Sequence, residues 1–232
     1  MRLIKVKNYN ELSEKASKII INEISKKPNL TIGFATGKTP IGLYKKLTEV
    51  YKKGKIDFSG IKSFNLDECY PIKQKDKRSY SYYMFKNLFN KINIKKENIN
   101  LLNGGANNFK KECRDYENKI RKNPIDIQIL GLGMNGHIGF NEPGSSFNSK
   151  TRLVNLDKET IKEKKVSKKA LTVGISTIMK SKKIILLASG KNKAKAVWGL
   201  VKGKIDKNCP VSFLKRHKNI FVIIDGKASS LL

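Results

Sequence analysis

Acidic side chains are scarce in this 232-residue chain: 19 aspartates and glutamates stand against 49 lysines and arginines, for a formal net charge of +30. A basic excess of that size raises nucleic acid as a partner, because lysines displace counterions from phosphates. The lysines are spread along the whole chain, however, with no aromatic-studded basic segment, zinc-finger spacing or RNA-recognition motif among them. Asn and Ile are abundant too, and Lys, Asn and Ile together are what an AT-rich genome produces by drift. The expectation is a solvated lysine surface with no specific nucleic-acid partner, whose field draws in a small anionic substrate.

Metal-ligating residues are few as well. There are two histidines, His137 and His217, and three cysteines, Cys69, Cys113 and Cys209, far apart and without a C-x-x-C pair. Zinc wants clustered ligands, so no metal is expected and the thiols read as reduced. Long apolar runs are missing: none approaches the ~18 residues of a membrane span. The start, Met1-Arg2-Leu3-Ile4-Lys5-Val6-Lys7, alternates charged and apolar residues and reads as a strand, not a signal peptide. A cytoplasmic protein with no membrane partner is expected.

What is present is an alternation. Apolar runs rich in β-branched residues recur at Leu3–Val6, Leu30–Ala35, Ile61–Leu66, Ile99–Leu102, Ile125–Leu132, Thr151–Leu156, Ala170–Ile175, Ile184–Ala188 and Ile220–Ile224. Helix-period stretches lie between several of them: Tyr9–Ile24, Pro40–Val50, Tyr80–Phe89, Asn107–Ile120 and Lys191–Val201. Strand–helix alternation predicts an α/β fold, a doubly wound, mostly parallel sheet with helices on both faces, modified Rossmann-like. No repeat and no Pro/Gly/Ser-rich linker divides the chain, so residues 1–232 read as a single domain. The lysine-rich stretch Asp157–Lys169 reads as a short helix or a mobile lid.

Ligands of open α/β sheets bind beyond the carboxyl ends of the strands, so the loops there carry the functional reading. The first is Ala35-Thr36-Gly37-Lys38-Thr39, followed by Pro40. It falls one residue short of the P-loop spacing, which disfavours ATP. Its glycine, its two hydroxyls and a helix N-terminus suit a phosphate monoester; the plain alternative is a strand–helix turn with Thr39 as N-cap. The second is Phe64-Asn65-Leu66-Asp67-Glu68, where two adjacent carboxylates end a strand. On an extended chain they point to opposite sides, so at most one faces a given pocket, as a general base; a helix cap or a surface acid is the alternative. The third runs from Gly131 to Pro143. It matches G-x-G-x-x-G, yet Gly139, Pro143 and Gly144 forbid the helix that a dinucleotide site needs. What it offers is His137 between glycines, with Asn135 and Glu142 close by, an imidazole that a carboxylate can orient for proton transfer.

Four segments in order, ATGKTP (35–40), FNLDE (64–68), GLGMNGHIGFNEPGSS (131–146) and ALTVGISTIM (170–179), resemble the glucosamine-6-phosphate deaminases. The resemblance runs from near residue 1 to about residue 226. It implies the reaction of D-glucosamine 6-phosphate and water to D-fructose 6-phosphate and ammonia, in amino-sugar catabolism, with no cofactor and a hexosamine 6-phosphate as the small-molecule partner. It implies that His137 opens the pyranose ring, that Glu142 and Asn135 orient the imidazole, and that Asp67 moves the proton from carbon 2 to carbon 1. The phosphate is expected on Ala35, Thr36, Gly37, Lys38 and Thr39 and on Lys193, with Lys191 as its neighbouring rival. The related 6-phosphogluconolactonases share the fold and the Gly-His pair but lack the Phe140-Asn141-Glu142-Pro143 sequel; they and other hexosamine-phosphate isomerases are the alternative. Departures are Lys38 for a usual Ser or Gly, Cys69 for a usual Tyr, and a stretch at Lys162–Lys169 roughly nine residues shorter than usual. The missing piece carries a phosphate-binding arginine, for which Lys164 or Lys165 is the expected substitute. The oligomeric state is left open between monomer and homo-oligomer.

Overall fold

Every residue of Thr31–Phe34 is buried, as are the last five of Lys183–Ala188, the condition of strands covered on both faces. The computed structural model describes residues 1–164 and 167–232, without the side chains of Glu159, Glu163 and Lys164. Chain order begins β1 (Arg2–Val6), α1 (Tyr9–Lys26), β2 (Thr31–Phe34), α2 (Ile41–Lys52), β3 (Lys62–Asn65), β4 (Asp67–Tyr70), α3 (Tyr80–Asn87), β5 (Ile99–Asn100) and α4 (Phe109–Lys122). It continues β6 (Ile127–Gly131), β7 (Arg152–Asn155), α5 (Lys158–Lys164), β8 (Lys169–Thr172), α6 (Ile175–Ile178), β9 (Lys183–Ala188), α7 (Ala194–Val201) and β10 (Ile220–Asp225).

The helices start where the sequence provides caps. Asn8, Ser79 and Asn108 each accept a hydrogen bond from a backbone N–H of the first turn of α1, α3 and α4, worth about 1 kcal/mol apiece. In α1 the four-residue spacing of Leu12, Ala16, Ile20 and Ile24 turns one apolar stripe to the core. Helix α2 differs: it begins behind Pro40 with no side-chain cap.

Seven strands form one sheet in the order β1-β10-β9-β6-β2-β3-β5, and every neighbouring pair is parallel. From β2 the chain moves outward through β3 to β5; from β6 it moves the other way through β9 to β10. The direction reverses between β2 and β6, which opens a crevice at their carboxyl ends. This is the doubly wound sheet expected from the strand–helix alternation.

The remaining strands depart from that expectation. β4, β8 and β7 form a separate three-stranded antiparallel sheet. Two of its strands come from the runs Thr151–Leu156 and Ala170–Ile175, whose composition resembles that of the main sheet. β4 follows β3 after the single residue Leu66, so Asp67 opens one sheet where the other ends. Within Asp157–Lys169, α5 occupies Lys158–Lys164, the helical option of the two expected. Beneath the small sheet, Phe140, Leu156 and Ala170 form their own apolar cluster, with Tyr80 packed against it.

Candidate active site

The crevice between β2 and β6 holds a cavity of about 490 Å³. Its walls come from the carboxyl ends of four adjacent strands: residues 35–39 after β2, Leu66 and Asp67 after β3, Gly131–Gly133 with His137 and Gly139 after β6, and Ser189, Asn192 and Lys193 after β9. Asp67 and His137, 70 residues apart in the chain, therefore share one cavity with the Gly-Lys-Thr loop.

Residues 35–39 turn sharply at Gly37, whose φ of +105° favours glycine. Thr39 is not the N-cap of α2; Pro40 holds that position with φ −77°, and its carbonyl accepts from Tyr44 N–H. Ile41 of the first turn of α2 lines the cavity, and the next N–H, that of Gly42, donates to the Tyr9 hydroxyl at 2.8 Å. Lys38 is exposed at the rim, while Thr36 lies inward with its hydroxyl 3.5 Å from Asp67 Oδ1.

Asp67 and Glu68 part company as extended backbone requires. Asp67 lines the cavity. Glu68 points away and accepts from the N–H groups of Cys69, Tyr80 and Ser81, so it anchors the start of α3. Burial, reinforced by the Asp67 charge, pushes the Glu68 carboxyl up to about 7 against the pull of those three donors.

The third loop folds back on itself as its glycines permit. Gly133 N–H donates to the His137 carbonyl at 2.9 Å, and a Cβ on Gly133 would stand 2.4 Å from the His137 ring. Only glycine leaves that ring its place. Gly139, with φ +57°, reverses the chain so that Glu142 returns to the imidazole. His137 Nδ1 lies 2.8 Å from Asn135 Oδ1 and 3.3 Å from Glu142 Oε2, and Asn135 Nδ2 donates to the same Glu142 oxygen at 2.9 Å. Both neighbours of Nδ1 are acceptors, which fixes the ring proton there and leaves Nε2 for exchange with a ligand. Burial would raise the Glu142 carboxyl, but the hydrogen bond and charge of His137, with smaller contributions from Thr160 and Asn135, bring it down to about 2. The intervening residues brace the loop. Phe140 stacks on Tyr80 with ring centroids 5.8 Å apart. Asn141 donates to the Ile138 and Val173 carbonyls and accepts from Arg152.

Among the expected site residues, Asp67, His137, Ala35, Thr36, Gly37, Lys38, Thr39 and Lys193 line the cavity, while Asn135 and Glu142 stand behind the imidazole. Of the two rival lysines, Lys193 is buried at the cavity wall and Lys191 is exposed. Of the expected substitute lysines, Lys165 and the side chain of Lys164 lie outside the described residues. Ile41, Tyr80, Tyr83, Ser189 and Asn192 also line the wall and were not anticipated. The tyrosines sit three apart on the helix that follows the Asp67 strand, a signal available in the sequence. His217 is buried elsewhere, with Nε2 2.7 Å from the Ser181 carbonyl, and serves the fold. Among the described residues no group of three His, Cys, Asp or Glu side chains is placed to hold a metal ion, and no helix is long and apolar enough to cross a membrane.

A family model of glucosamine-6-phosphate isomerases and 6-phosphogluconolactonase matches residues 6–222. Over 241 aligned positions the chain is 52% identical to a glucosamine-6-phosphate deaminase of Clostridium novyi (strain NT), with both sequences covered completely. It is 48% identical to one of Thermoanaerobacter sp. (strain X514), covering all of this chain and 95% of the relative. Among solved structures, a monomeric glucosamine-6-phosphate deaminase superposes with a TM-score of 0.98 at 41% identity over the whole of both chains. A 6-phosphogluconolactonase from Trypanosoma brucei superposes at 0.83 with 20% identity over all of this chain and 98% of its own, a likeness of fold alone.

Proposed function

The chain belongs to the family of glucosamine-6-phosphate isomerases and 6-phosphogluconolactonases, and from that premise we propose that it is an enzyme, a glucosamine-6-phosphate deaminase, converting D-glucosamine 6-phosphate and water to D-fructose 6-phosphate and ammonia. Relatives that are about half identical over the full chain carry that name, whereas the lactonases match at about 20% and do not favour the alternative. The observation that carries the reading is the shared cavity: a carboxylate, an imidazole with its Nδ1 proton fixed, a donor-rich loop and a buried lysine converge on one space.

In the proposed reaction His137 Nε2 takes the proton of the carbon-1 hydroxyl and delivers it to the ring oxygen, opening the pyranose. Glu142 and Asn135 hold the ring for that transfer, and Glu142 stays ionised to balance the imidazolium that forms in between. Asp67 then removes the proton on carbon 2 and returns it to carbon 1 through an enolamine. Water adds to the resulting imine carbon, and ammonia leaves. The phosphate, held by residues 35–39 and Lys193, spends its binding energy on placing carbons 1 and 2 against Asp67. A place in amino-sugar catabolism follows from the substrate. A cytoplasmic location belongs to the same proposal, because a sugar phosphate dianion does not cross a bilayer unaided.

The test is direct. Purified protein incubated with glucosamine 6-phosphate should release ammonia and fructose 6-phosphate in equal amounts, and Asp67→Asn should not. Turnover by the wild type no greater than by Asp67→Asn would remove the assignment.

A further inference from the structure

The backbone of residues 35–39 is unusually one-sided in its hydrogen bonding. Four of its five carbonyls are engaged by tyrosine hydroxyls that arrive from three different helices. Tyr44 of α2 donates to the Ala35 carbonyl at 2.5 Å, and Tyr83 of α3 donates to the Gly37 carbonyl at 2.6 Å. Tyr9 of α1 stands 2.9 Å from the Thr39 carbonyl and 3.1 Å from that of Lys38, sharing its proton between them, and itself accepts from Gly42 N–H at 2.8 Å. Among the described residues, the N–H groups of Thr36, Gly37, Lys38 and Thr39 donate to no protein acceptor. Four of the loop's five acceptors are thus occupied by the protein and its donors are left over, on residues that line the cavity.

That arrangement has an electrostatic consequence. A peptide unit offers a ligand either its N–H or its C=O, and a carbonyl turned inward would repel a dianion and compete for its counter-donors. A hydroxyl bonded to a carbonyl fixes the peptide plane that it shares with the next residue's N–H, here those of Thr36, Lys38 and Thr39, before any ligand arrives, so binding carries little reorganisation cost. Burial holds the Tyr44 and Tyr83 phenols protonated, which keeps them donors throughout the range in which the enzyme would work.

We propose that Tyr9, Tyr44 and Tyr83 form a clamp that pins the carbonyls of Ala35, Gly37, Lys38 and Thr39, so that the loop presents mainly donors and selects a dianionic phosphate ester over a neutral sugar. These are positioning residues, acting through the loop, and the inference rests on reading the cavity as a sugar-phosphate site. Tyr83 lines the cavity wall as well, so its hydroxyl ties the edge of the phosphate subsite to the helix that begins at the Glu68 anchor.

The test measures binding of fructose 6-phosphate and of inorganic phosphate by titration calorimetry, independently of turnover. Tyr83→Phe and Tyr44→Phe keep the rings and remove the hydroxyls; each should raise both dissociation constants about fivefold, the loss of one well-placed hydrogen bond. Where turnover is measured, the loss should fall on KM for the sugar phosphate and not on kcat. Tyr116→Phe, which removes an equally buried hydroxyl from the Asn65 carbonyl away from the loop, should lower thermal stability and leave both dissociation constants unchanged. Should Tyr44→Phe not fold, Tyr9→Phe takes its place, with the same expected rise. Unchanged phosphate binding in Tyr83→Phe and its companion variant overturns the clamp, as does a wild-type protein that binds neither ligand. Ligand binding that weakens as expected in a protein that does not turn over glucosamine 6-phosphate would uphold the clamp and remove the deaminase assignment.

Discussion

The two ends of the cavity are built in opposite ways. At the reacting end, side chains hold a side chain: the His137 ring is fixed by Asn135 and Glu142 within 3.3 Å of one nitrogen, and by the bare backbone of Gly133 beneath it. At the gripping end, side chains hold backbone: tyrosine hydroxyls set residues 35–39, and the backbone offers the donors. The first design depends on the chemical identity of a few residues, because in the proposed reaction one imidazole must gain and lose a proton. The second depends on conformation, since any N–H serves if it points the right way. Damage at the reacting end should therefore appear in kcat, and damage at the gripping end in KM.

The sharpest attempt to break that division is His137→Gln. A glutamine fills much of the same space and keeps a donor near Asn135 and Glu142, but it relays no proton. Steady-state kinetics with glucosamine 6-phosphate should show kcat lower by about 10²–10⁴-fold with KM nearly unchanged. A comparable rise in KM would mean that the imidazole also binds the substrate. At the other end, Lys193→Ala removes the buried cation from the cavity wall. KM should rise about 10- to 100-fold, the worth of a hydrogen bond to a charged group, with a smaller change in kcat. Kinetics identical to wild type would reassign that contact to another lysine.

Glu142→Gln tests how the reacting end is held. The amide keeps the shape but removes the charge that balances an imidazolium. A fall in kcat of about tenfold is expected, smaller than for His137→Gln because Asn135 still orients the ring. The pH profile sharpens it. With the Glu142 carboxyl held down at about 2, the wild type should show no loss of activity from its protonation above pH 3. An acid limb that disappears in Glu142→Gln would contradict that.

Most of the frame was legible in the sequence because strand ends announce themselves. Strands stop at Phe34, Asn65, Gly131 and Ala188, and polar or glycine-bearing loops follow, so three of the four walls of the cavity fell out of one rule about carboxyl ends, while the fourth was marked only by the resemblance that pointed to Lys193. The return of Glu142 to His137 was legible for a similar reason, since Gly139 can take the left-handed turn that a side chain resists. Contacts across long separations were not. Nothing local to Tyr9 indicates that its hydroxyl meets Thr39, 30 residues away, or that Tyr80 stacks on Phe140, 60 residues away. The antiparallel sheet was hidden as well, because Asp67–Tyr70 carries two carboxylates and does not look like a buried strand. Those carboxylates are tolerated there because the cavity takes one and the helix start takes the other.

That second carboxylate joins the two ends. Glu68 follows the proposed base Asp67 and grips the first turn of α3, which brings Tyr80 to Phe140 of the His137 loop and Tyr83 to residues 35–39. Its pH behaviour should be the smallest of these effects and opposite in sign to that of Glu142. The ordinary carboxyl titrates near 4.5; in the fold, burial and the Asp67 charge push Glu68 up to about 7. Between those values the folded protein holds a proton that the unfolded chain gives up, so Glu68's contribution is complete below pH 4.5 and is lost as pH rises through about 7. Glu142, shifted down to about 2, contributes fully above 4.5 and loses its share only as pH falls toward 2. Thermal unfolding followed from pH 5 to pH 8 should show a decline of a few degrees in the wild type, at about 2–4 °C per kcal/mol for a chain of this size. Glu68→Gln cannot titrate, so that part of the decline should vanish even though the variant unfolds at a lower temperature overall for want of one acceptor at the helix start. An equal slope in both proteins would show that the joint between the two ends carries no proton in the working range.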